Sequence, residues 1–238
     1  MKRIFYGLAA VFAGLAGPAL AQTGRELIEE SLRRHAPPTS AYEEHAMVIA
    51  DRQAQYGMRT LRYYAQRDGH VTRKRHVIES PSELKGAAIQ IERDDQTGAR
   101  RGPAPTTAVF GTNFLVADLE GEHPDDFLYQ RSGDVDLERV PHIVVRAQPA
   151  VAAVTRTTSY YERYLYLRKD NFFLSRIDYY DREGRPARRL SYRAARPDEF
   201  GIWRASMILM EDLRDGRRSL LKVERRVHSP DYIPTGVF

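Results

Sequence analysis

The stretch Glu162-Arg163-Tyr164-Leu165-Tyr166-Leu167-Arg168-Lys169-Asp170-Asn171-Phe172-Phe173-Leu174-Ser175-Arg176-Ile177-Asp178-Tyr179-Tyr180-Asp181 decides the architecture. It holds two runs of alternating character, residues 158 to 168 and 171 to 181, on either side of the turn-forming pair Lys169-Asp170. Alternation of period two is the signature of a strand with one buried face, and two such runs across a short polar turn make an antiparallel pair. Leu165, Leu167, Ile177 and Tyr179 would share one face, with Arg163, Arg176 and Asp178 on the other.

The same texture continues in both directions. Toward the C-terminus, runs at 186 to 194, 201 to 211 and 218 to 228 are separated by Arg182-Glu183-Gly184, Arg196-Pro197-Asp198 and Asp215-Gly216; upstream, 126 to 131 and 141 to 148 belong to the same meander. Earlier still, 42 to 52, 57 to 67, 70 to 79 and 86 to 93 read as strands, with Asp68-Gly69 the clearest hairpin signal. Residues 94 to 107 form a loop, and Thr112 to Leu119 is a short helical or irregular segment between Gly111 and Gly121. Thr23-Gly24-Arg25-Glu26 fits a capping box opening an amphipathic helix with Leu27, Ile28 and Leu32 on its apolar side, stopped by Pro37-Pro38. About eleven strands with one confident helix cannot lie flat, so a mainly β (α+β) fold is expected: a large curved antiparallel sheet closing as an incomplete barrel, its concave face covered by helices.

The apolar face would also carry Leu61, Tyr63 and Ala65, Ile89 and Ile91, Leu190 and Tyr192, Trp203, Ala205, Met207 and Leu209, and Leu221 and Val223. Arg62, Lys74, Arg189, Arg204, Lys222 and Glu224 would sit on the wet face, although some registers are ambiguous. Periodicity by itself does not separate a filled core from a cavity.

The first 21 residues read as a secretory signal peptide: Met1-Lys2-Arg3 is a basic start, Ile4 to Leu20 is apolar or small, and Ala19-Leu20-Ala21 is a small-x-small cleavage site before Gln22. The expectation is cleavage after Ala21, a single domain over 22–238 and a periplasmic location. The 238-residue chain has no cysteine and a net charge of +5, which excludes thiolate zinc sites, disulfides, Cys nucleophiles and a lipidated N-terminal Cys. An exported protein with a mild basic surplus is not expected to meet nucleic acid; its arginines read as solvent-facing strand residues or as a rim for acidic head groups.

A search for chemistry finds no G-x-S-x-G elbow, H-E-x-x-H, P-loop or dinucleotide turn. His123 beside Asp125 and Asp126 reads as an exposed turn rather than a metal site, and adjacent acids such as Glu43-Glu44 and Asp94-Asp95 as solvated charges. No catalytic residue, metal or cofactor is expected.

Several pieces of the chain, in order, resemble the LolA-like outer-membrane lipoprotein-sorting proteins. Ser80-Pro81 before Leu84-Lys85-Gly86-Ala87-Ala88 is similar to the family's strand entry; Gly111-Thr112-Asn113-Phe114 through Asp118-Leu119 is similar to its "G-s-d-F-x-x-x-D-l" segment; Ile177-Asp178-Tyr179-Tyr180-Asp181 with Gly184 is similar to its hairpin. Gly201-Ile202-Trp203, Met210-Glu211-Asp212, Asp215-Gly216, Ile233-Pro234 and Phe238 complete the pattern. One departure stands out: the polar run Arg93-Asp94-Asp95-Gln96-Thr97-Gly98 replaces an aromatic-rich strand, so one cavity wall should be shortened or become a loop.

The resemblance implies a half-barrel with helices at its mouth and a hydrophobic cavity for acyl chains, lined by Leu61, Tyr63, Ile89, Ile91, Phe114, Leu165, Leu167, Ile177, Tyr179, Trp203, Met207, Leu221 and Val223. It implies a periplasmic carrier for a lipid or lipoprotein acyl chain, with transient membrane contact and a resistance-nodulation-division type exporter or an outer-membrane acceptor as partner. The alternative is a sensory or scaffold module on the same fold that binds lipidated or misfolded envelope proteins without transport. The helix from Thr23 to His35 and the segment from Thr112 to Leu119 would form the movable lid.

Overall fold

The computed structural model describes residues 22–50, 56–150 and 160–238. The expected signal peptide lies outside the described residues, as do the first residues of the strand read from 158. At the N-terminus α1 (Gly24–Arg34) opens with the capping box its sequence announces: Thr23 Oγ1 accepts from the Glu26 backbone N–H, and the Glu26 carboxylate accepts from Thr23 N. Arg33 and Arg34 in its last turn complement the helix dipole.

Strands β1 (Ser40–Ala50), β2 (Tyr56–Asp68), β3 (Val71–Ser80), β4 (Ala88–Asp94) and β5 (Arg100–Arg101) follow, then α2 (Val116–Glu120). The second half comprises β6 (Phe127–Leu137), β7 (Val140–Pro149), β8 (Glu162–Arg168), β9 (Leu174–Tyr180), β10 (Pro186–Arg193), β11 (Arg196–Pro197), β12 (Trp203–Arg204), β13 (Met207–Asp212) and β14 (Arg218–Val227). Twelve of these strands form one antiparallel sheet in the order β5-β4-β3-β2-β1-β14-β13-β10-β9-β8-β7-β6, while β11 and β12 form a separate ribbon. The sheet is curved and does not close into a barrel. The expected polar interruption is present too: after Asp94 the chain turns, and β5 contributes only two residues to that edge.

Topology then dictates what covers the concave face. Strands β5 and β6 lie at opposite edges of the sheet, so the chain between them must cross it, and it does so with Val109, Phe114 and Val116 buried. Leu27 and Ile28 of α1 pack beside this crossing onto an inner face built from residues such as Met47, Leu61, Ile78, Val145, Leu165 and Met210, all at 2% exposure or less.

Two face assignments differ from the sequence reading. Met207 pairs laterally with Lys222, whereas Ile208 pairs with Leu221; Ile208 and Met210 therefore face inward, and Met207 and Leu209 lie on the outer face. The cause is a break at Ala205-Ser206, between the β12 ribbon and β13, which resets the alternation that carried Trp203 and Ala205 inward. Second, Lys74 shares its face with Ala65 and Ile91, and Arg163 shares its face with Ala147 and Tyr179. Both are inner-face residues, and Arg204 of the β12 ribbon borders the same inner cavity as Trp203 and Ala205.

Candidate functional site

Two cavities flank the C-terminal half of α1. One, of about 480 Å³, lies toward β2–β4 and is lined by apolar Leu32, Ala36, Pro37, Ile91 and Pro124 together with polar groups including Lys74. The second, of about 300 Å³, lies toward β8–β13 and is lined by Ile28, Leu167, Phe173, Tyr192, Trp203 and Ile208. Leu32, Gly121 and Glu122 border both, so one helix residue and one bend of the crossing segment separate them. Volumes of this order suit small apolar ligands.

Of the residues expected to line a cavity, Ile91 borders the first space and Leu167 and Trp203 the second. Leu61, Ile89, Leu165, Ile177 and Leu221 are packed into the core beneath, and Val223 lies against that core. Phe114 belongs to the crossing segment rather than the sheet wall. Tyr179 points its hydroxyl at Asp118, 3.1 Å away. Tyr63 lies between two buried histidines, its ring 5.7 Å from His45 and 4.7 Å from His76. Met207, on the outer face, is outside the site. Sequence reasoning missed Ile208, for want of the parity break, and Phe173, which sits in the β8–β9 turn where no alternation applies.

The concave face is more polar than alternation implied. Asp118 receives Arg188 Nη2 at 2.6 Å, with both side chains under a tenth exposed. Glu122 accepts both Nη groups of Arg163 at 2.7 and 2.8 Å, and that guanidinium stacks 3.7 Å from the Phe127 ring. Arg188 also donates to Asn113 O at 2.6 Å, and Asn113 N donates to Ser219 Oγ at 3.0 Å. The crossing segment is thus fastened to the sheet at several buried polar contacts. By contrast α1 is held by apolar packing, by exposed pairs such as Arg25 with Asp125, and by Arg204 donating to the His35 and Ala36 carbonyls.

A third polar group lies on β1–β3 and β14. His45 Nε2 is 2.6 Å from Glu43 Oε2, and Arg226 donates to the other Glu43 oxygen at 2.6 Å. Burial alone would raise the Glu43 carboxyl, but His45 and Arg226 hold it down at about 2. Burial pushes His76 down to about 3, with His45 and Lys74 adding to the effect. No group of three or more His, Asp or Glu among the described residues is placed to hold a metal. The acids beside His123 are engaged elsewhere, Asp125 by Arg25 and Asp126 by both terminal nitrogens of Arg93.

A family model described as "Uncharacterized protein" matches residues 96–238, more than half of the chain. The chain belongs to that family. No curated protein matches it. Among solved structures, an outer membrane lipoprotein-sorting protein domain from Vibrio parahaemolyticus is similar over 86% of this chain and 91% of its own, with a TM-score of 0.73 and 16% identity. A DUF1329 family protein from Desulfovibrio piger gives a TM-score of 0.71 at 16% identity, over 85% of this chain and 90% of its own. A LolA superfamily protein from Nitrosomonas europaea gives 0.67 at 17% identity, over 89% of this chain and 96% of its own. The family member described here therefore has a LolA-like fold, in accord with the resemblance drawn from its motifs.

Proposed function

We propose that the protein is a periplasmic carrier or binding protein that shields a lipid or lipoprotein acyl chain beneath α1, does no chemistry on it, and passes it between membrane partners such as an exporter and an outer-membrane acceptor. The observation that carries this reading is the pair of partly apolar cavities, about 480 and 300 Å³, on either side of Leu32 inside a LolA-like sheet. A carrier must offset about 0.8 kcal/mol per methylene, on the order of 12 kcal/mol for a sixteen-carbon chain. Leu32 of α1 stands between the two spaces, and displacing α1 would merge them. The moving part of the lid is then α1, and the crossing segment, held by Asp118–Arg188 and Glu122–Arg163, is the fixed floor.

The test is native mass spectrometry of the protein purified from its own envelope without detergent, followed by extraction and identification of any adduct. A stoichiometric acyl-bearing adduct supports the reading, and a clean unliganded mass after incubation with membranes overturns it. Since the chain has no cysteine, an engineered disulfide between α1 and β6 tests the lid cleanly. Uptake and release unchanged by that lock would remove α1 from the mechanism.

A further inference from the structure

The charges around the larger cavity are almost completely matched. Arg67 is 3.1 Å from Asp95, Arg93 holds Asp126 with two contacts of 2.9 Å, Glu120 is taken by Arg100, and Glu122 by Arg163. Lys74 is the exception. Its Nζ has no carboxylate within 4.0 Å among the described residues; it donates to the carbonyls of Glu120 at 2.5 Å and Leu119 at 3.3 Å, and an ammonium carries three hydrogens. Its stem runs across the sheet between Ala65 and Ile91, the latter part of the cavity's apolar wall.

A partly buried ammonium with no counter-charge in contact is unfavourable, and two neutral carbonyls compensate it only partly. Burial lowers the Lys74 pKa, against the pull of the more distant Glu120 and Asp95 carboxylates. An anion entering the cavity would supply the missing charge. Ile91 beside it on the sheet, and Leu32, Ala36 and Pro37 at and after the end of α1, offer nothing to a charge and much to a hydrocarbon tail.

We propose that this cavity takes a single-chain amphiphile with an anionic head, a carboxylate or a phosphate monoester, whose charge is met by Lys74 Nζ while its tail lies against Leu32 and Ile91. The assignment rests on the lipid-binding reading above and narrows it, because a triacylated cysteine presents no anion at its acyl end.

The experiment measures binding of four probes to the purified protein at fixed ionic strength: hexadecanoate, hexadecyl phosphate, uncharged hexadecanol, and acetate or inorganic phosphate without a tail. The two anionic amphiphiles should bind at least tenfold more tightly than hexadecanol, and the tailless anions should not compete. In Lys74→Met, which keeps the stem and removes the charge, the preference should vanish with hexadecanol affinity retained. If that variant does not fold, Lys74→Gln, which keeps a donor for the Glu120 carbonyl, gives the same readout. Equal affinity of the parent for hexadecanoate and hexadecanol overturns the head-group assignment and leaves the lipid reading standing. A preference that survives both substitutions also overturns it, as does displacement by acetate or inorganic phosphate alone, which would mark a small-anion site. Failure of every long-chain probe to bind the parent overturns the lipid reading and this assignment together.

Discussion

Asp118 is the residue on which the fixed floor of the cavity depends, and its replacement by Asn isolates the charge from the shape. In the parent, Asp118 Oδ2 accepts from Arg188 Nη2 at 2.6 Å and from Leu115 N at 2.7 Å, while Oδ1 accepts from the Tyr179 hydroxyl at 3.1 Å. Asparagine is close in volume and keeps one acceptor, so the main loss is the counter-charge of a guanidinium whose side chain is only 7% exposed. Removing one partner of a buried ion pair costs about 3–5 kcal/mol because the other charge stays buried and unmatched. The amide's retained acceptor argues for the lower end, about 3 kcal/mol. For a chain of this size each kcal/mol shifts Tm by about 2–4 °C, so Asp118→Asn should melt roughly 10 °C below the parent.

Urea denaturation followed by circular dichroism measures the same quantity as free energy. Arg188→Met should lose a comparable amount. The double variant Asp118→Asn/Arg188→Met should be more stable than the sum of the single losses predicts, because it leaves no unmatched charge. A loss below about 1 kcal/mol for Asp118→Asn, or strictly additive effects, would refute the idea that this pair fastens the crossing segment.

Other consequences follow from the same contacts. His76 has its folded pKa depressed from 6.5 to about 3 by burial, so the unfolded chain binds the extra proton first as pH falls; its stabilising contribution is complete above pH 6.5 and is lost toward pH 3 at up to about 1.4 kcal/mol per pH unit, and His76→Phe should flatten denaturation free energy against pH in that window. A Cβ on Gly24 would stand 2.5 Å from Gln130 N and 2.6 Å from Tyr129 C, so Gly24→Ala should push α1 off β6, read as faster hydrogen exchange confined to Gly24–Arg34; unchanged protection would show that β6 yields instead. Leu32 borders both cavities, so Leu32→Trp should fill them and reduce uptake of an acyl probe at least tenfold, with unaltered uptake placing the ligand elsewhere.

How far the sequence could be read depended on whether the chain kept its rhythm. Leu165 and Leu167 on β8 and Ile177 and Tyr179 on β9 all fall inward as period two demands within each strand, although the pairing shifts register once, between Tyr166 and Leu167. The capping box at Thr23 and the apolar side of α1 were equally legible, because both depend on neighbours three or four residues away. Trp203 to Leu209 is where extrapolation failed: the bend at Ala205-Ser206 has neither Gly nor Pro to announce it, and parity beyond it is set by pairing with β14. Lys74 and Arg163 were misplaced for a different reason. Their strands obey period two, and period two itself puts each on the apolar face, where the charge meets a partner arriving from distant sequence.

That partner is the crossing segment, and the topology explains why the inner face must be polar where it is. A chain leaving β5 at one edge to enter β6 at the other carries a whole run of backbone N–H and C=O groups over a concave, largely dry surface. One short helix and turns such as Val109 N to Phe114 O and Val116 N to Thr107 O satisfy some of them internally; others find donors and acceptors on the sheet. Arg188 meets Asn113 O, Ser219 meets Asn113 N, and Lys74 meets Leu119 O and Glu120 O, while Asp118 and Glu122 bring carboxylates that Arg188 and Arg163 answer. The inner-face cations are therefore a consequence of strand order, and among the described residues apolar open space remains beside α1, where the crossing leaves the sheet uncovered. In that region Lys74 is the cation whose charge the crossing segment meets with carbonyls alone, and a ligand's own charge has room to complete it.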